Sequence, residues 1–106
     1  MIDWNRVAEL RDEVGEDDFD EVVSLFLDEV EEVLRPLRET PLVDGPGEIL
    51  HFLKGSAWNL GFQALGKLCS EHETASFRSS DLSPIIASYD TSRAVFLSGL
   101  PKAFAS

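Results

Sequence analysis

His51, Lys54, Gly55 and Trp58 are the residues whose types and spacing point to chemistry. At the roughly 100° per residue of an α-helix, Ile49, Leu53, Ala57 and Leu60 gather on one side. His51 falls nearly opposite them, flanked by Lys54 at i+3, Gly55 at i+4 and Trp58 at i+7, so its imidazole is expected to point outward. An exposed imidazole can attack phosphorus through a neutral ring nitrogen, because an ordinary histidine titrates close to neutrality. An ammonium one turn further on can pair with the oxygens of the incoming phosphoryl group, where charge collects during transfer. Gly55 has no side chain and leaves room for a partner to bring its reacting residue in line. A glycine inside a helix costs roughly 1 kcal/mol relative to alanine, so its presence calls for a reason.

The two ring nitrogens need different jobs, and Glu73 is the candidate to hold the one that does not react. Antiparallel packing across a short turn at Gly61 would set the next helix beside that of His51. A carboxylate accepting from Nδ1–H would then fix the tautomer that presents Nε2 and would stabilise the cation formed on phosphorylation. Trp58 is a candidate anchor for a partner, with Phe52 beside the histidine as a second contact. The alternative for Trp58 is a ring folded back over neighbouring aliphatic groups. His72, one residue before Glu73, falls at the core edge and reads as a structural histidine. The lone cysteine, Cys69, reads as a small buried hydrophobe.

Leu50-His51-Phe52-Leu53-Lys54-Gly55-Ser56, Asn59-Leu60-Gly61 and the run from Leu65 to Glu73 occur in that order, within about a quarter of the chain. Together they resemble the signature of histidine phosphotransfer domains; the leading segment from Ile2 to Leu27 resembles the first helices of such domains more loosely. The resemblance implies that His51 is the phosphorylated residue and that Lys54 and Gly55 serve it. It also implies that an acid or amide on the following helix, here Glu73, contacts the imidazole. The sequence departs from many members at Trp58, where they carry a small residue.

Length and charge bound the remaining possibilities. A chain of 106 residues, 43% of them hydrophobic, suits a single domain over residues 1–106 with one buried core. The net charge is −11; residues 1–48 carry 16 acids and 4 bases, and residues 49–106 carry 4 acids and 5 bases. Such a surface argues against nucleic acid and anionic membranes as partners, since both are bound largely through Lys and Arg on phosphates. Glu29, Glu31 and Glu32 read as a solvated helix face, the alternative being a contribution to steering a basic partner. No apolar run is long enough to cross a bilayer and the first residues lack the pattern of a secretion signal. A cytoplasmic location is expected. The Met1 start and short tail favour a free-standing carrier.

The elements that must position these residues are helical throughout, and the expected class is all-α: an up-and-down antiparallel four-helix bundle with a short additional N-terminal helix. Asp3 caps the first helix, which runs from Trp4 to about Glu13 and ends at Gly15. The second starts at Asp17 or Asp18 with the longest apolar stripe in the chain: Phe19, Val22, Val23, Phe26, Leu27, Val30, Val33, Leu34 and Leu37. Pro36 should kink or end it. The third runs from Pro46 or Glu48 to Asn59 or Leu60, and the fourth from about Phe62 to Phe77 with Leu65, Leu68, Cys69, His72 and Ala75 inward. Arg78 through Asp81 link to the last helix. Ser83 is expected to cap it with Pro84 first, and Leu82, Ile85, Ile86, Tyr89, Phe96, Leu97 and Leu100 form its stripe, with Gly99 and Pro101 ending or bending it.

Three readings follow. The first is a phosphocarrier that takes a phosphoryl group on His51 from the aspartyl phosphate of a receiver domain, or within a relay headed by a hybrid sensor histidine kinase, and passes it to another receiver. It would have no kinase or ATP-binding machinery of its own, since no glycine-rich nucleotide loop occurs. No cofactor is expected on the chain, and Mg²⁺ would be supplied by the receiver. The second is a degenerate module that binds receivers without transfer. The third, a metal site from His51, Cys69, His72 and Glu73, requires an inward His51 and is disfavoured, so no metal ligand is assigned. A monomer is expected, with pairing through Trp58 or Phe104 as the alternative.

Overall fold

The computed structural model describes residues 1–74 and 79–104. Helix α1 (Trp4–Val14) starts where the Asp3 carboxylate accepts the backbone N–H groups of Asn5 and Arg6 at 3.1 and 3.2 Å. It stops at Gly15, whose φ of +87° turns the chain. Helix α2 (Glu16–Glu39) follows at once, with Glu16, Asp17 and Asp18 in its first turn, where negative charge suits the helix dipole. Phe19, Val23, Leu27, Val30, Leu34 and Leu37 are buried at spacings of three and four, whereas Val22, Phe26 and Val33 lie half-buried along the edges of that stripe. Pro36 forfeits one intrahelical hydrogen bond but sits in the last turn, so the helix carries on to Glu39 and ends with the Thr40 N–H on the Pro36 carbonyl.

Helix α3 (Gly47–Leu60) bears the His51 stripe and ends in a Schellman turn. Gly61 takes φ +76°, its N–H bonds the Trp58 carbonyl, and the Phe62 N–H bonds the Ala57 carbonyl at 2.7 Å. Glycine is needed there for a second reason: a Cβ would lie 2.7 Å from the Asp3 carbonyl oxygen, on the segment whose N–H donates to Gly61 O. The turn that reverses the chain is thus welded to the start of α1. Helix α4 (Gln63–Thr74) runs back beside α3. It buries Leu65, Gly66 and Cys69, and leaves Leu68 and His72 half-buried. Its expected extension to Phe77, with Ala75 inward and Arg78 opening the next link, lies outside the described residues.

Two three-residue strands interrupt the all-helical pattern. β1 (Leu42–Asp44) pairs antiparallel with β2 (Ser79–Asp81), Val43 opposite Ser80, tying the α2–α3 connection to the approach to α5. Helix α5 (Ser83–Ala103) differs from expectation in three respects. Its N-cap is Leu82 rather than Ser83 and carries no side-chain cap; Asp81 Oδ1 just before it accepts both the backbone N–H and the hydroxyl of Ser83 at 2.9 and 2.6 Å. Pro84 therefore falls one place further in. Leu97, assigned to the inner stripe, is 39% exposed. The helix also runs through Gly99 and Pro101, and Gly99 serves another end: a Cβ there would strike the Trp4 indole, which stacks on Phe96 at 7°.

The helices close a ring in which α2 and α4 each pack against both α3 and α5, and α1 lies against α2 and α3. The four-helix bundle and its extra N-terminal helix are as the apolar stripes require. Phe62 anchors the α3–α4 turn in the core, with Phe96 edge-on at 5.3 Å and Tyr89 at 6.3 Å. Leu34, Leu50, Leu53, Leu60, Leu65 and Leu82 are fully buried, each contributing on the order of 1.5–3 kcal/mol. No helix among the described residues is long and apolar enough to cross a membrane.

Candidate functional site

Leu50, Leu53, Ala57 and Leu60 turn the apolar side of α3 into the core, which forces His51 to the surface, where it is exposed. Ile49, expected inside, is half-buried, and Leu50 and Ser56 are buried instead. The reason is that α3 packs against α1, α2 and α4, so its buried face is broader than a single line on the wheel and centred one residue further on. Phe52, beside the histidine, is half-buried against the core, which leaves only part of its ring for a partner.

Lys54 lies one turn beyond His51, where neighbouring Cβ atoms are about 5–6 Å apart. Its Nζ sits 2.9 Å from Glu73 Oε1 on α4. The approach is that of an ion pair rather than an aligned hydrogen bond, and Oε1 is shielded from water with no hydrogen-bond donor among the described residues. Glu73 is therefore where the reading of the sequence put it, beside the reactive stripe, but its partner is the cation. Among the described residues the close partner of that carboxylate is Lys54, which reaches α4 from one turn beyond His51.

Gly55 is exposed, and a Cβ placed on it meets nothing within 4 Å among the described residues. Among the described residues nothing in the packing asks for glycine there. Trp58 is 47% exposed. Its indole lies flat over Gly66 of α4, where a Cβ would come within 2.9 Å of the ring. The ring thus packs back on α4 at Gly66, and about half of the residue stays exposed. Gly66 was not singled out in the sequence. A glycine inside a helix was the available signal, but only the packing says which ring fills the gap.

Two further side chains belong to the frame of the site. His72 Nδ1 lies 3.0 Å from the Leu68 carbonyl one turn back. Cys69 is fully buried, and burial, followed by the nearby Glu73 charge, pushes its thiol up to about 12, which makes it unreactive near neutral pH. Among the described residues no three His, Cys, Asp or Glu are grouped so as to hold a metal ion. From the other side, Arg6 of α1 donates through Nε to the Asn59 carbonyl at 3.2 Å, holding the last turn of α3 in place.

The arrangement offers an exposed imidazole, a cation one turn away and, among the described residues, open space over Gly55 on the same helix face. The family model for the Hpt domain matches residues 21–94, a span that takes in most of α2, all of α3 and α4 and the first half of α5. No curated protein and no solved structure matches the chain significantly. Hpt domains are helical bundles that carry phosphoryl groups on histidine in two-component phosphorelays, working with receiver domains and kinases without being kinases themselves. With the bundle, the outward histidine on α3 and a match over well more than half of its length, this chain belongs to the Hpt domain family.

Proposed function

We propose that this chain is a histidine phosphocarrier that accepts a phosphoryl group on His51 from the aspartyl phosphate of a receiver domain and passes it to another receiver. The observation that carries the reading is the outward His51 with Lys54 one turn on and open space over Gly55. In the transfer a ring nitrogen of His51 forms the N–P bond as the P–O bond to the aspartate breaks, and the aspartate leaves as a carboxylate with the electron pair. Lys54 meets the charge on the phosphoryl oxygens. The glycine at position 55 lets the receiver's reacting edge approach in line, and the exposed part of the Trp58 ring, with Phe52, forms the apolar contact around it. Mg²⁺ belongs to the receiver's acidic pocket in this reading, and the chain acts as a cytoplasmic monomer without catalytic machinery of its own.

The test incubates the wild type and His51→Gln with a panel of phosphorylated receiver domains and follows acid-labile, alkali-stable phosphate on this chain. Uptake by the wild type alone is expected. Uptake by neither, with receiver binding retained, would replace the carrier by a degenerate receiver-binding module.

A further inference from the structure

The cation beside His51 already has a partner. Lys54 Nζ sits 2.9 Å from Glu73 Oε1, with the two side chains 28% and 27% exposed, and among the described residues that oxygen has no hydrogen-bond donor to compensate if the ammonium leaves. The four-carbon stem of lysine is long and flexible enough for its head to swing between α4 and a group held on the histidine one turn back, with no movement of the backbone.

We propose that Glu73 is a positioning residue acting through Lys54: it competes with the phosphoryl group for the ammonium, and thereby sets how readily His51 gives its phosphate away. The inference rests on the carrier reading above. A phosphoryl group carries close to two negative charges against one on a carboxylate, so Lys54 turns to it when it arrives. Glu73 Oε1 then remains shielded from water without a counter-ion, which disfavours the phosphorylated state. When the group leaves for a receiver, Lys54 returns to Glu73, and recovery of that ion pair favours release. The exchange of ion-pair partners makes and breaks no covalent bond, so no reactant beyond the receiver's aspartyl phosphate is needed. The same pair thus assists capture through Lys54 and limits retention through Glu73, as a carrier requires.

The full chain is equilibrated with a receiver phosphorylated by a small acyl phosphate, and the ratio of phosphorylated chain to phosphorylated receiver is measured together with the rate of return transfer. The wild type is compared with Glu73→Gln, Lys54→Ala, the double variant and Glu73→Asp. Glu73→Gln should move the ratio toward the chain by roughly two- to fivefold, the range of a partly exposed ion pair, and slow return transfer by a similar factor. In the Lys54→Ala background the same substitution should change nothing, and Glu73→Asp, which keeps the charge, should restore wild-type behaviour. An equal effect of Glu73→Gln in both backgrounds would mean that the carboxylate acts on His51 directly and would overturn the proposal, as would no shift or a shift toward the receiver. A second readout needs no phosphate: the Lys54 side-chain nitrogen resonance should move on Glu73→Gln in the unphosphorylated chain, and an unmoved resonance overturns the pairing. Failure of the wild type to take up any phosphate would instead overturn the carrier reading itself.

Discussion

Gly55 occupies a mid-helix position where alanine is the better helix former and where the fold leaves space for a Cβ. Gly55→Ala should therefore stabilise the chain by about 1 kcal/mol, read as a higher urea midpoint. Gly55→Gln should fold as well as the wild type yet raise the KM for a phosphorylated receiver strongly, because its side chain stands where the receiver must approach. Undiminished transfer in that variant would remove the access argument. Trp58 offers the complementary test, because its pose depends on a residue of another helix. Gly66→Ala inserts a methyl group under the indole and must displace it. Its expected signature is a change in tryptophan emission together with weakened receiver binding, while Trp58→Ala weakens binding without needing the Gly66 change. The other tryptophan, Trp4, stacks on Phe96 and provides the unchanged component of the spectrum.

The helices that present these residues are set by local punctuation, and the α3–α4 turn is the element on which the site depends most. Gly61→Ala would demand a left-handed conformation from alanine and drive its Cβ against the Asp3 carbonyl oxygen. A loss of about 3 kcal/mol is expected, measured by equilibrium unfolding, and the register between Lys54 and Glu73 should loosen with it. A loss below about 1 kcal/mol would show that the turn relaxes freely and does not pin the site. Asp3, Gly15 and Gly61 were legible in the sequence because caps and glycine turns act within a few residues. The strands β1 and β2 were not, since three residues in an exposed, half-buried, exposed pattern carry no periodicity to read. The partner of Glu73 escaped for a different reason. Sequence spacing put its helix beside that of His51, but which side chain of the stripe meets the carboxylate depends on side-chain reach, and Lys54 is the one that does. Likewise Leu97 faces solvent because the buried line of α5 runs Ile85, Tyr89, Ser92 and Phe96 and continues to half-buried Leu100, which leaves Leu97 to one side of it.

At the scale of the whole molecule the uneven charge is the governing quantity. With 16 acids on residues 1–48 against 4 bases, much of the α2 surface repels itself at neutral pH, while a few cross-links work against that repulsion. Arg38 of α2 grips both oxygens of Asp90 on α5 at 2.9 Å and also reaches Glu31. Those hydrogen bonds hold the Asp90 carboxyl below the usual carboxylate range, as the Ser83 hydroxyl and N–H do for Asp81. A carboxylate depressed in the folded state contributes stability that is fully present above its unfolded pKa of about 3.9 and is lost as pH falls through the lower folded value. Stability should therefore fall below about pH 4 as Asp90 and Asp81 are protonated. Added salt should raise the midpoint at pH 7 by screening the acidic face, because the repulsive pairs outnumber the exposed ion pairs that salt also weakens. Asp90→Asn isolates the cross-link: it should flatten the fall below pH 4. A fall of unchanged steepness in that variant would move the acid sensitivity away from the α2–α5 contact and onto Asp81 at the start of α5.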